Sequence, residues 1–173
     1  MLVWVLYSTG VSAETSVRAP QESIDHAAAC GLFQIRQEFR RAVEHCDAAL
    51  HNDPVDHDTL SNRGSAHFAL GNLDEALRDF NAAMQLKPRD ARNYFNRALV
   101  YAARKEHRRA IADYDEAIRL LPNLAIAYNN RAREFEVTGE LEKAIADYRE
   151  ALRLAPSLFA VIRHNLQRLG VEP

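Results

Sequence analysis

The chain has 173 residues, a formal charge of -2 from 22 basic and 24 acidic side chains, 47% hydrophobic residues that include 28 alanines, and 8% aromatics. Balanced charge argues against a strongly basic nucleic-acid binder or a polyacidic chaperone, and 27% charged residues argue against a membrane-embedded or disordered chain. Two cysteines are too few for a disulfide scaffold or a four-cysteine zinc site, and six Gly with six Pro leave room for long helices.

Residues 1–22 form a separate N-terminal segment. Leu2 to Tyr7 is apolar, Val11-Ser12-Ala13 has the small-residue pattern of a signal-peptidase site, and a polar run follows. The segment reads as a cleaved or clipped export signal plus linker, although no basic residue precedes the apolar stretch. A partly apolar tail docked on the first helices is the other reading. About 20 apolar residues are needed to span a bilayer, so no stable membrane span is expected here. The expected location is exported or periplasmic, in a bacterium, with the cytoplasm as the alternative.

Beyond this segment the chain is periodic. Pro54, Pro88, Pro122 and Pro156 recur every 34 residues. On the same register Ala42, Ala76, Ala110 and Ala144 share a column, and Ala49, Ala83, Ala117 and Ala151 share another. Phe80, Tyr114 and Tyr148 form an aromatic column that Cys46 interrupts in the first block, and Phe33, His67, Tyr101 and Phe135 form a further one. Tyr94, Arg97, Ala98 and Tyr101 lie at i, i+3, i+4 and i+7, the stripe of an amphipathic helix, and Ala110, Tyr114, Ala117 and Ile118 do the same for its partner. Gly71 and Gly139 stand where the first helix of a block must stop. Asp56, Asp90, Asn123 and Ser157 are the expected N-caps after each proline.

This period, with its small and aromatic columns and terminal proline, resembles the tetratricopeptide repeat (TPR). The family's usual tryptophan column holds Leu60, Tyr94 and Tyr128 here, and its usual leucine column holds Arg63, Arg97 and Arg131. The resemblance implies an all-α fold, a right-handed superhelical array of antiparallel helix pairs. Its blocks are 23–56, degenerate, then 57–90, 91–124 and 125–156, closed by a capping helix over 157–170 that turns Ile162, Leu166 and Leu169 inward.

No phosphate-cradling glycine loop, H-E-x-x-H, C-x-x-C or G-x-S-x-G occurs in the sequence, so no catalytic, cofactor or metal site is assigned. Asp79, Asp113 and Asp147 recur with Arg63, Arg97 and Arg131, which is what packing requires and catalysis does not. Exposed pairs of that kind contribute at most about 1 kcal/mol. His51, Asp53, Asp56, His57 and Asp58 read as turn and cap chemistry, and the run Arg104 to Arg109 reads as a solvated bend.

In the first block Cys30 takes the small column held elsewhere by Gly64, Ala98 and Ala132, while Cys46 takes the aromatic column. These columns face each other, so a disulfide would stand in for the missing ring. Two buried free thiols in a reducing compartment are the alternative.

The resemblance further implies a scaffold or adaptor that binds a protein, as a peptide or partner helix, in a groove lined by the first helices. The candidate lining is Asn62, Ser65, Phe68, Arg92, Phe95, Asn96, Leu99, Asn129, Asn130 and Arg133. Asn62, Asn96 and Asn130 make a ladder of one asparagine per repeat, able to pair with a peptide backbone or with its own neighbours. The two-lysine, two-asparagine, one-arginine clamp with which some family members hold a chaperone's C-terminal carboxylate is not met, because Ser61, Ile126 and Asn130 stand at its basic positions. A structural module that forms homo-oligomers, or the accessory repeat region of a larger enzyme or secretion-related complex, is the alternative function.

Overall fold

The computed structural model describes residues 26–172, all of whose regular structure is helical. The segment read as an export signal lies outside the described residues. The first helix, α1, covers 26–35. It is followed by α2 (Phe39–Asn52), α3 (His57–Ala69), α4 (Leu73–Leu86), α5 (Ala91–Ala103), α6 (His107–Leu120), α7 (Ala125–Thr138) and α8 (Leu141–Leu154). A 3-10 turn, Pro156–Leu158, leads into α9 (Phe159–Arg168).

Consecutive helices pair as hairpins, and each second helix also packs on the first helix of the following repeat, so burial runs continuously along the array. The small columns mark where backbones approach. Ala42, Ala76, Ala110 and Ala144 are buried, as are Ala83, Ala98, Ala117, Ala132 and Ala151. Phe80, Tyr114 and Tyr148 fill the space that these alanines leave. The approach of α3 to α4 is close enough to need glycine: a Cβ on Gly64 would stand 2.9 Å from the Phe80 ring.

The turn inside each hairpin falls on one column, Gln37, Gly71, Lys105 and Gly139, and all four have positive φ, 60° for the two non-glycine residues and 81° for the glycines. The sequence marks only the two glycines, because a left-handed residue with a side chain carries no compositional signal. Asp56 accepts from the amides of Asp58 and Thr59, and Asp90 from that of Arg92, as expected of N-caps. Asn123 and Ser157 do not cap. The cap column lies one residue further on, at Leu124 and Leu158, neither of which makes a side-chain cap.

The last helix closes the array. Ile162 and Leu166 are fully buried against Phe135, Tyr148 and Ala151, while Arg163, His164, Gln167 and Arg168 face solvent. Among the described residues, no helix is long and apolar enough to cross a membrane.

Candidate functional site

The orientation of the first helices is set by a repeated polar lock. Arg97 on α5 donates from Nε and Nη2 to the two carboxylate oxygens of Asp113 on α6, at 2.7 and 2.8 Å, and from Nη1 to Asn81 on α4, at 2.6 Å. Arg63 does the same with Asp79 (2.9 and 2.7 Å) and Asp47 (2.6 Å), and Arg131 with Asp147 (2.7 and 2.8 Å) and Asp115 (2.6 Å). Each guanidinium therefore ties three helices: its own, its hairpin partner and the second helix of the preceding repeat.

These pairs are not the exposed ion pairs expected from the sequence. The Asp113 side chain is 9% exposed and that of Arg97 20%, and the fork geometry is bidentate. The carboxylate of Asp79 holds the Arg63 guanidinium above the ordinary arginine value, with burial opposing, and Asp113 raises Arg97 in the same way. For Arg131 burial is the largest influence and pulls downward, but the hydrogen bonds to Asp147 and Asp115 and the charges of those carboxylates together outweigh it.

With the helices so fixed, α3, α5 and α7 present the candidate lining. Asn62, Ser65, Phe68, Phe95, Asn96, Leu99 and Asn130 are half-buried, and Arg92 and Arg133 are exposed. Asn129 is buried instead of facing the groove freely. Its Nδ2 donates to Oδ1 of Asn130 at 3.2 Å, and its own Oδ1 has no partner among the described residues. Phe95 tilts against Tyr114 with ring centroids 5.8 Å apart, and Leu99 packs on the same cluster. Phe68 belongs to the next cluster toward the N-terminus, around Phe80 and Val100.

The asparagine ladder is partly engaged within the chain. Asn96 Nδ2 donates to Ser65 Oγ across two first helices at 3.4 Å, and Ser65 Oγ donates in turn to the Ser61 carbonyl at 3.0 Å. Burial pushes the Tyr114 hydroxyl well above its usual range, the Glu134 charge adds to this, and a hydrogen bond from Asn130 opposes it. The charge of Arg92 is met by Asp90 at 2.6 Å and by Asp58, one repeat back, at 2.8 Å.

Two polar groupings reach between repeats. His107 Nδ1 and Glu134 Oε2 lie 2.7 Å apart across a repeat boundary. His57, Asp58 and Asp90 bring one ligand-type atom each within 4.8 Å of the others, but Arg92 already bridges the two acids. Of the other residues singled out around position 55, Asp56 acts locally as a cap and Asp53 accepts from the Val55 amide at 3.2 Å. In the basic run, Arg104 pairs with Asp74 and Glu106, and Arg109 with Glu106, at 2.7 to 2.9 Å.

Stacked helical hairpins with a 34-residue register, interlocked by Arg63, Arg97 and Arg131, define a helical-repeat fold. The chain belongs to the tetratricopeptide repeat family. It matches the descriptions "TPR repeat" over residues 64–105 and "Tetratricopeptide repeat" over 91–124 and 125–158.

Similar solved structures agree on the fold. A crystal structure of MamA is 21% identical, with a TM-score of 0.74 over 83% of this chain and 85% of that one. The first TPR of Spaghetti (RPAP3) bound to the HSP90 peptide SRMEEVD is 22% identical, with a TM-score of 0.66 over 69% of this chain and 94% of that one. The NMR structure of the first TPR domain of human RPAP3 is 22% identical, also at 0.66, over 71% and 97% of the two chains. No curated protein matches this chain significantly in sequence.

Proposed function

We propose that this protein is a non-enzymatic adaptor that takes an extended peptide or a partner helix in the groove lined by α3, α5 and α7. The reading is supported by the half-buried side chains of Phe68, Phe95 and Leu99 and of Asn62, Asn96 and Asn130 on the first helices α3, α5 and α7, which offer apolar area and backbone-pairing groups. A TPR bound to a peptide is among the similar structures, and supports this reading by analogy of fold.

The ligand this face suits differs from an acid-rich tail. Arg92 is neutralised within the chain by Asp58 and Asp90, which leaves the exposed Arg133 as the lining's cation without an ion pair among the described residues, beside apolar contact and amide pairing. We further propose that the protein works in an oxidising compartment, as an exported or periplasmic bacterial protein. The support is the bonded Cys30–Cys46 pair, with Cα atoms 5.1 Å apart, in addition to the signal-like N-terminus.

The test is a quantitative pull-down from the source organism with the wild type and the double variant Phe95→Ala, Asn96→Ala. Loss of the captured partner by a variant that still unfolds cooperatively, with a melting temperature lowered only by the lost Phe95–Tyr114 packing, supports the groove, and equal capture moves the site off it. A self-assembly reading is favoured by one observation, the exposed Phe159 and Val161 on α9. Light scattering that returns a monomer at working concentration defeats it.

A further inference from the structure

The first repeat is built differently from the others. In repeats two to four the contact between first and second helix is an aromatic ring on a small residue: Phe80 on Gly64, Tyr114 near Ala98, Tyr148 near Ala132. In the first repeat the same columns hold Cys46 and Cys30, bonded to each other and fully buried. The ring has been exchanged for a covalent bond.

Besides the disulfide, α1 is held by side-chain contacts to α2 and α3. Phe33 packs on Ala42 and Ala66, stacks on His45 with centroids 5.0 Å apart and lies under the Arg41 guanidinium at 4.1 Å. Ala29 joins the same cluster, the Nδ1 atoms of His26 and His45 are 3.0 Å apart, and Gln34 donates to the Asn62 carbonyl. By contrast α2 keeps contacts that do not involve α1. Asp47 accepts from Arg63 at 2.6 Å, and Leu50 packs on Leu60 and Ala83. Among the described residues no helix precedes α1, so its packing partners there come from one side of the array.

We infer that the Cys30–Cys46 bond is a redox latch: oxidised, it holds α1 on the array, and reduced, it lets α1 leave while α2 to α9 stay folded. The inference rests on the reading that the pair is oxidised in the working protein. The chemistry is thiol-disulfide exchange with a dithiol reductant. One reductant thiolate attacks a cysteine sulfur to give a mixed disulfide, and its second thiol releases the protein. Two electrons and two protons pass to Cys30 and Cys46, which become thiols, and the reductant leaves as a disulfide. Because both sulfurs are buried, exchange proceeds through transient opening of α1.

The latch bears on the groove. A Cβ placed on Gly31 would lie 3.8 Å from Asn62 Nδ2, so α1 stands directly against the first rung of the asparagine ladder. Release of α1 uncovers the side of α3 that carries Asn62.

Amide hydrogen exchange on the full chain, air-oxidised and then refolded in dithiothreitol, tests this. Reduction is expected to speed exchange over residues 26–35 on the order of a hundredfold, the effect of removing a cross-link across a loop of this length, and to leave 57–172 unchanged. The variant Cys30→Ala, Cys46→Phe, which restores the ring-on-alanine contact, is expected to protect α1 with or without reductant. Unchanged α1 exchange on reduction, or equal acceleration along the whole array, overturns the latch. Thiol titration of the unfolded, unreduced protein separates the two readings: two free thiols overturn the oxidised pair and the latch together, whereas a bonded pair with reduction-insensitive exchange overturns the latch alone.

Discussion

Replacing Asp113 by alanine isolates the energy of one polar lock. The substitution removes the two charge-assisted bonds at 2.7 and 2.8 Å and leaves the Arg97 guanidinium with Asn81 as its remaining partner in a mostly buried setting. Breaking a fully buried pair costs about 3 to 5 kcal/mol, chiefly because the surviving charge stays desolvated. Arg97 is 20% exposed and retains one neutral acceptor, which lowers the expected loss to about 2 to 3 kcal/mol. The exposed pair of Glu116 and Arg119 on the same helix serves as control, and Glu116→Ala should cost less than about 0.5 kcal/mol. Urea unfolding followed by circular dichroism reads both, and the midpoint for Asp113→Ala should fall by about 1 M at a typical slope. Because the folded pKa of Arg97 is raised, its contribution is complete below the unfolded arginine value and is lost only as pH rises through the folded one. The difference between wild type and variant should therefore be flat with respect to Arg97 ionisation from pH 6 to 9. A loss no larger than that of Glu116→Ala would refute the view that these arginines fix the helix stack.

The hairpin-turn column predicts opposite signs at neighbouring repeats. Gly139→Ala forces a side chain into φ 81° and should cost about 1 kcal/mol, whereas Lys105→Gly relieves a side chain at φ 60° and should gain about 0.5 to 1 kcal/mol, both read by thermal unfolding. Equal effects of the same sign would contradict the left-handed geometry. Asn93 is fully buried with neither amide atom paired among the described residues, and the same column holds Ala127 one repeat on. Asn93→Ala should therefore raise stability by about 1 kcal/mol in urea unfolding, and a loss of that size would reveal a hydrogen-bond partner for the amide.

What the sequence discloses follows from what repeats. The alanine columns and the hairpin register recur at every period, and the aromatic column and the Arg-Asp partnership in repeats two to four, so the fold and even the pairing of Arg63, Arg97 and Arg131 with Asp79, Asp113 and Asp147 are legible. The second partner of each arginine was equally periodic, at Asp47, Asn81 and Asp115, but a position of mixed charge and amide does not stand out without knowing that helix two of one repeat faces helix one of the next. That missing neighbour is also why the pairs looked exposed: burial of Asp113 depends on the adjacent helices, which no single-repeat pattern contains. The candidate groove was harder to read for the opposite reason. Its residues differ from repeat to repeat, so Asn129 can turn inward where Phe95 occupies the same column, and Asp58 can spend its charge on Arg92 a full repeat away. Periodic positions carry the stack and aperiodic ones carry whatever is particular to this chain. It is the breaks in the register, Cys30 and Cys46 first among them, that repay experiment.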